Sequence, residues 1–202
     1  MLESEVKFFL ADTADIRDRL RRTGARSNGC AFETNYRYDN AANQLLAQKC
    51  LLRLRRDRGN RLTFKKPHPS GGRQVKTHEE LEIEVSDFDI THQILKALGF
   101  RKAQVYEKIR ETFELDVVEI CLDQLPFGHF VEIEGPPDTL PAVAARLGLA
   151  WQGRILATYL QIFETLRNTL GLPFQDLTFA HFQTVDADLT TEIRQFEAEP
   201  PP

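Results

Sequence analysis

Charge in this chain is sorted by the period of an extended strand. From Leu2 to Leu10 the residues alternate, so Glu3, Glu5 and Lys7 share one face while Leu2, Ser4, Val6 and Phe8 take the other. The run 50–56 sets Arg53 and Arg55 against Leu52 and Leu54, and the run 61–66 sets Thr63 and Lys65 against Leu62 and Phe64. Residues 76–85 place Glu80, Glu82 and Glu84 opposite Leu81, Ile83 and Val85. QVYEKIRETF opposes Tyr106, Lys108, Arg110 and Thr112 to Val105, Ile109 and Phe113. EICLD opposes Glu119, Cys121 and Asp123 to Ile120 and Leu122, and HFVEIEG opposes Phe130, Glu132 and Glu134 to Val131 and Ile133. A period of two repeated this often commits most of the chain to a sheet with one apolar and one charged face.

The runs are organised as a repeat. EVKFFLADTADIRDRLRRTGAR (5–26) aligns without a gap on ELEIEVSDFDITHQILKALGFR (80–101), matching Glu5, Asp12, Leu20, Gly24 and Arg26 to Glu80, Asp87, Leu95, Gly99 and Arg101. Each copy reads strand, helix, then three more strands: 30–38, 50–56 and 61–66 in the first half, 103–115, 117–123 and 129–134 in the second. The helices are signalled by Asp12, Ile16, Leu20 and the stop at Gly24, and by Asp89, Ile94, Leu95 and the stop at Gly99. Two related halves therefore build one sheet of about eight strands. PHPSGGR (67–73) is a turn-rich loop between them. Beyond Gly135 the pattern turns helical, first around Leu140, Val143, Ala144 and Leu147, then from Arg154 to Leu170. This predicts one domain over 1–171 and a C-terminal extension over 172–202, with EAEPPP at its end disordered.

The charged face has two possible fates. It can lie in water, as one side of an antiparallel sheet often does. Alternatively about eight strands can close into a barrel with the charges inside and the helices outside. Sorting of acids and bases onto different strands favours closure, and confined charge then demands a charged occupant. Lys7, Arg53, Arg55, Lys65, Lys108 and Arg110 suit an oligo-anion bearing several phosphates. Carboxylates suit hard divalent cations, Mg2+ or Mn2+. Bases for phosphates and acids for metals describe a phosphoryl- or nucleotidyl-transfer site.

Other function classes find little support. The net charge of −4 favours neither nucleic acid nor an anionic membrane. No signal peptide is visible and no apolar run reaches the roughly 18 residues of a membrane span, so a cytoplasmic location is expected. Cys30, Cys50 and Cys121 match no disulfide or ligand spacing, and the five histidines do not pair as zinc ligands. Arg17, Arg21 and Arg22 read as a solvated helix face, PHPSGGR lacks the P-loop spacing, and Tyr159 and Phe163 read as core.

Six of these segments, in this order, resemble the CYTH family, also called triphosphate tunnel metalloenzymes. Glu3-x-Glu5-x-Lys7 is similar to its ExExK signature, and LLRLRR, LTFKK, EELEIEV, YEKIRETF and LDQLPFGHFVEIEG to its later motifs, over residues 1–166. The resemblance implies an α+β fold: a closed eight-stranded antiparallel β-barrel, or tunnel, with helices packed outside. It implies metal ligation by Glu3, Glu5, Glu132 and Glu134 with Asp123 on the same side, while Glu80 and Glu82 hold a second metal or steer a base. Lys7, Arg53, Arg55, Lys65, Lys108 and Arg110 would grip the phosphates, and Glu5, Lys7 and Lys108 would be catalytic. The implied partner is a small-molecule triphosphate, handled by a monomer or homodimer. Three positions depart from the family pattern: His78 stands where an arginine is common, Asn35 where an aspartate is common, and only Arg154 or Arg167 could serve as a late basic residue. Hydrolysis of tripolyphosphate, thiamine triphosphate or a nucleotide is expected, since nothing specifies adenine. Cyclisation of ATP and non-catalytic binding are the alternatives.

Overall fold

The computed structural model describes residues 2–69, 72 and 74–198. Among these, eight long strands form the frame: β1 (Leu2–Leu10), β2 (Arg26–Asp39), β3 (Leu51–Arg56), β4 (Asn60–Pro67), β5 (Lys76–Glu84), β6 (Arg101–Leu115), β7 (Val118–Leu125) and β8 (Gly128–Glu134). They are antiparallel and lie in the order β5-β4-β3-β2-β6-β7-β8-β1, and β1 pairs back onto β5. The sheet is thus a closed ring, and the expected eight-stranded tunnel is present. A two-residue strand, β9 (Arg154–Ile155), adds to β1.

Register puts the charges inside. Glu5 lies opposite Glu134 and Lys7 opposite Glu132 across β1–β8, while Glu3 faces His78 and Glu5 faces Lys76 across the closing β1–β5 pair. A slip of one residue would turn every charge outward and every aliphatic inward, so the alternation itself enforces this register.

The helices are α1 (Ala14–Thr23), α2 (Gln44–Ala47), α3 (Phe88–Ala97), α4 (Leu140–Arg146), α5 (Tyr159–Leu170), α6 (Phe179–Phe182) and α7 (Thr190–Arg194). Ile16 and Leu20 of α1 and Leu140, Val143 and Ala144 of α4 cover the outer face of β1, β7 and β8 at Val6, Phe8, Ile120, Leu122, Val131 and Ile133. Each such fully buried aliphatic contributes about 1.5–3 kcal/mol. In the other half Phe88 and Leu95 of α3 pack on Tyr38, Leu52 and Leu54. The two repeat helices stop as the glycines predict or nearly so: Gly24 adopts φ 80° and its N–H returns to Leu20 and Arg21. Asp87 caps α3 by accepting from the Ile90 N–H.

The third apolar cluster packs α5 and the C-terminal segment against β6, β8 and the β7–β8 turn. Tyr106, Phe127 and Phe130 meet Tyr159, Ile162, Phe163 and Leu166 of α5, with Leu177, Phe182, Leu189 and Ile193 from the C-terminal segment. Leu177 is tied to β6 by paired backbone bonds with Val105 and Glu107, each 2.9 Å.

Two expectations change. The helix expected from Arg154 begins only at Tyr159, because Arg154 and Ile155 pair with Phe8 and Lys7 and a Thr158–Gln161 capping box then starts the helix. Within the EAEPPP end, Glu197 bridges Ile155 and the Ala198 N–H donates to the Arg154 carbonyl at 2.9 Å, so these two residues are held by β9. Residues 199–202 of that end, and residues 70, 71 and 73 of the expected 67–73 loop, lie outside the described residues.

Candidate active site

Inside the ring the side chains form two carboxylate groups with different surroundings. The first gathers Glu3 and Glu5 of β1 with Glu134 of β8. One carboxylate oxygen from each lies within 4.8 Å of the others. Lys65 donates to Glu3 at 2.6 Å and pairs with Glu80 at 2.7 Å. Lys76 donates to Glu5 at 2.9 Å, and Lys7 stands 3.5 Å from the same carboxylate.

Ionisation in this group is split. Burial, a proton shared with Glu80 and the nearby Glu5 charge push Glu3 up to about 7 against the pull of Lys65. Burial and the Glu3 charge hold Glu134 well above the usual carboxylate range, only partly opposed by Arg110. Burial also acts on Glu5, but Lys76, Lys7 and Lys65 override it and keep Glu5 ionised well below the ordinary value. Three converging carboxylates, of which Glu134 meets Arg110 only at 4.0 Å, fit a hard divalent ion with oxygen ligands.

The second group centres on Asp123 of β7. Arg110 of β6 donates to both its oxygens, at 2.7 and 2.6 Å, and Lys108 donates to Oδ2 at 3.1 Å. The Tyr159 hydroxyl of α5 donates to the same oxygen at 3.0 Å. Burial would raise Asp123, yet Arg110 and Lys108 hold it far below the usual range. Glu33 of β2 is likewise lowered, because Lys108, Arg110 and Arg55 outweigh its burial. Glu132 joins the two groups, standing 3.5 Å from Lys7 and bonded to Arg110.

The remaining cations line the wall of β3 and β4. Arg53 donates to the Tyr106 hydroxyl at 3.3 Å and to Thr63 at 3.1 Å. Arg55 reaches Glu33 at 3.4 Å and Glu82 at 3.5 Å. Such anchoring leaves part of each guanidinium fork to meet an anion in a fixed orientation.

The structure brings Glu3, Glu5 and Glu134 together, with Glu132 beside them. It gathers Lys7, Lys65, Lys108, Arg110, Arg53 and Arg55 in the same tunnel. Asp123 is engaged by Arg110 and Lys108, Glu80 by Lys65, and Glu82 by Thr63 at 2.7 Å and by Arg53 and Arg55 at 3.5 Å. Neither late arginine enters: Arg154 donates to the Trp151 carbonyl at 2.9 Å from the outer-facing register of Phe8, and Arg167 pairs with Glu164 at 2.7 Å. Lys76 supplies the extra base instead, at a position sharing the parity of Glu80. His78 lies between them, pushed down to about 4 by burial and Lys76, and is therefore neutral. Asn35 faces inward between Arg55 and Tyr106, fully buried, with neither amide atom partnered among the described residues. Glu33 and Tyr159 complete the set that sequence reasoning missed.

An antiparallel ring lined by sorted acids and bases defines a charged-tunnel protein. The CYTH domain family model matches residues 1–152, and the chain belongs to the CYTH family. A candidate adenylate cyclase of Methanocaldococcus jannaschii is 28% identical over 136 residues, spanning 66% of this chain and 77% of the relative. Among solved structures, a candidate adenylate cyclase from Vibrio parahaemolyticus superposes with TM-score 0.74 at 21% identity, covering 81% of this chain and 98% of that one. A Pyrococcus horikoshii protein gives TM-score 0.68 at 26% identity, covering 79% and 98%. A candidate adenylyl cyclase from Hippeastrum, described as having a dominant triphosphatase activity, gives TM-score 0.60 at 19% identity, covering 80% and 95%.

Proposed function

We propose that this protein is a divalent-metal-dependent enzyme that draws a small-molecule triphosphate into its tunnel and hydrolyses it. The observation that carries the reading is the convergence of Glu3, Glu5 and Glu134 within 4.8 Å, inside a ring whose other walls present lysines and arginines. Mg2+ or Mn2+ bound there would neutralise phosphate charge and lower the pKa of an attacking water.

The residues divide the remaining work. Arg53, Arg55, Lys65 and Arg110 hold the phosphate chain extended and in line. Asp123 grips Arg110 through both oxygens, so that guanidinium acts as a preorganised donor with little reorganisation on binding. Lys7 and Lys108, both buried, offset the charge that builds on the leaving phosphate. Glu132, between Lys7 and Arg110, orients both cations.

The relatives named as candidate adenylate cyclases favour a second reading, attack by the ribose 3′-hydroxyl of ATP with pyrophosphate leaving. Hydrolysis asks for less, and the Hippeastrum relative is described as mainly a triphosphatase. The test is to incubate the protein with tripolyphosphate, thiamine triphosphate or ATP, with Mg2+ or Mn2+, and to resolve phosphate, pyrophosphate and cyclic AMP. Phosphate release is expected. Cyclic AMP with pyrophosphate as the main products would favour the second reading, and binding without turnover of any substrate would end the enzymatic one.

A further inference from the structure

Lys7 and Lys108 belong to β1 and β6, which β8 and β7 separate in the ring. Their ammonium groups nevertheless converge on one aromatic ring. Lys7 Nζ lies 5.2 Å from the centroid of Tyr159 and Lys108 Nζ lies 5.7 Å from it. Both distances are within the range where a ring face attracts a cation. The Tyr159 hydroxyl continues inward to Asp123 Oδ2, the oxygen that also accepts from Lys108 and Arg110.

The ring itself is well fixed. Tyr159 is the first residue of α5, set by the Thr158–Gln161 capping box, and it meets Phe130 edge-on with centroids 5.1 Å apart. It lies beyond the residues 1–152 that the family model matches, so α5 contributes to the site from outside that region.

We propose that Tyr159 is a positioning residue for triphosphate binding: its ring holds the Lys7 and Lys108 ammonium groups together, and its hydroxyl shares Asp123 with Lys108. The inference rests on the triphosphate reading of the tunnel. Two ammonium groups gathered around one ring repel each other, and the attraction of each to the electron-rich ring offsets that repulsion. The hydroxyl takes part of the accepting capacity of Asp123 Oδ2, which leaves Lys108 less tightly bound to the carboxylate and more available to a phosphate oxygen. Burial and the Asp123 charge keep the phenol protonated, as a donor must be.

The experiment is equilibrium binding of inorganic tripolyphosphate by calorimetry in chelator, which reads the cations without metal or turnover. Wild type, Tyr159→Phe and Tyr159→Leu are compared. The Phe variant keeps the ring and loses the hydroxyl, and should bind about threefold more weakly; Leu loses both, and should bind at least about tenfold more weakly, each at unchanged stoichiometry. A purely structural role would lower the stoichiometry or melting temperature and leave Kd alone. Equal Kd values in the three proteins overturn the inference, as does a Phe variant as weak as Leu. If Tyr159→Leu does not fold, the Phe variant decides alone, and a wild-type Kd overturns the inference. Wild-type binding without turnover of any triphosphate defeats the enzymatic reading while the Kd comparison still stands; no binding by wild type defeats both.

Discussion

Asp123, buried, and Glu134, half-buried, are carboxylates on the lining of one tunnel, on neighbouring strands, yet they ionise in opposite ways. Asp123 sits in a mesh of fixed donors from Arg110, Lys108 and Tyr159, and its charge is stabilised. Glu134 faces Glu3, Glu5 and Glu132, with Arg110 at 4.0 Å as its countercharge, and its proton is retained. Fixed cations hold Asp123 from close range, whereas Glu134 meets its countercharge only at a distance. In the function proposed above, the first arrangement would present arginine and lysine to an anion and the second would take a cation.

Substitutions that break this division should have unequal effects. Glu5→Gln removes the one ionised carboxylate of the acidic group, and metal-dependent activity should fall at least about 100-fold while the protein stays folded, as judged by phosphate release and circular dichroism. Full activity would displace the metal site. Asp123→Asn should leave activity and stability both impaired, with about 3 kcal/mol lost in denaturant unfolding, because Arg110 and Lys108 lose the charge that compensates their burial. Glu134→Gln should act in the opposite direction on the metal-free protein, stabilising it by about 1 kcal/mol near neutral pH, because the folded state no longer has to hold a proton that an unfolded glutamate would release. A loss of stability there would mean that Glu134 is compensated after all.

The same contrast sets the pH response of the metal-free protein. Between 4.5 and about 7 the folded protein keeps a proton on Glu3 that the unfolded chain has released, so stability falls as pH rises through that window. Asp123 and Glu33 are lowered, so they contribute above their ordinary values of 3.8 and 4.5 and lose that contribution as pH falls below them. Melting temperature in chelator should therefore peak in mildly acidic solution, and added Mn2+ should flatten the decline on the alkaline side. The smallest effect is expected for Arg167→Ala, which should change activity by less than about twofold because this arginine is paired on α5 with Glu164 and only a surface ion pair is lost.

How far the site was legible depends on which residues obey a local rule. Strand parity is local, and it placed Glu3, Glu5, Lys7, Arg53, Arg55, Lys65, Lys108, Arg110, Asp123, Glu132 and Glu134 on the inner face. Lys76 shares that parity, but as the first residue of β5 it follows the 67–73 loop, where an extended phase is not established by its neighbours. Glu33 and Asn35 stand on a strand whose inward positions are not a matched pair of like charges, so the sorting signal is weak there. Which acids truly meet depends on pairing between strands. Glu82 shares a face with Glu3, yet it lies across from Thr63 and is drawn to that wall, while Glu80, across from Lys65, still meets Glu3. Tyr159 was legible only as a core residue, since helical periodicity says that a face is buried and not that it is buried against charge.

The closing seam carries one more consequence, for the order in which the chain folds. β1 must pair with β5, β8 and β9, so it cannot find all its neighbours until nearly the whole domain has been made. The β1–β8 pairing has the greatest sequence separation in the ring, and contacts of that kind form slowly. Glu5 and Glu134 become neighbours only at that step; before it, each remains solvated and no crowding exists. A divalent ion would therefore have no three-carboxylate site in the open sheet and would bind only the closed one, making its uptake a kinetic marker for the last event of folding.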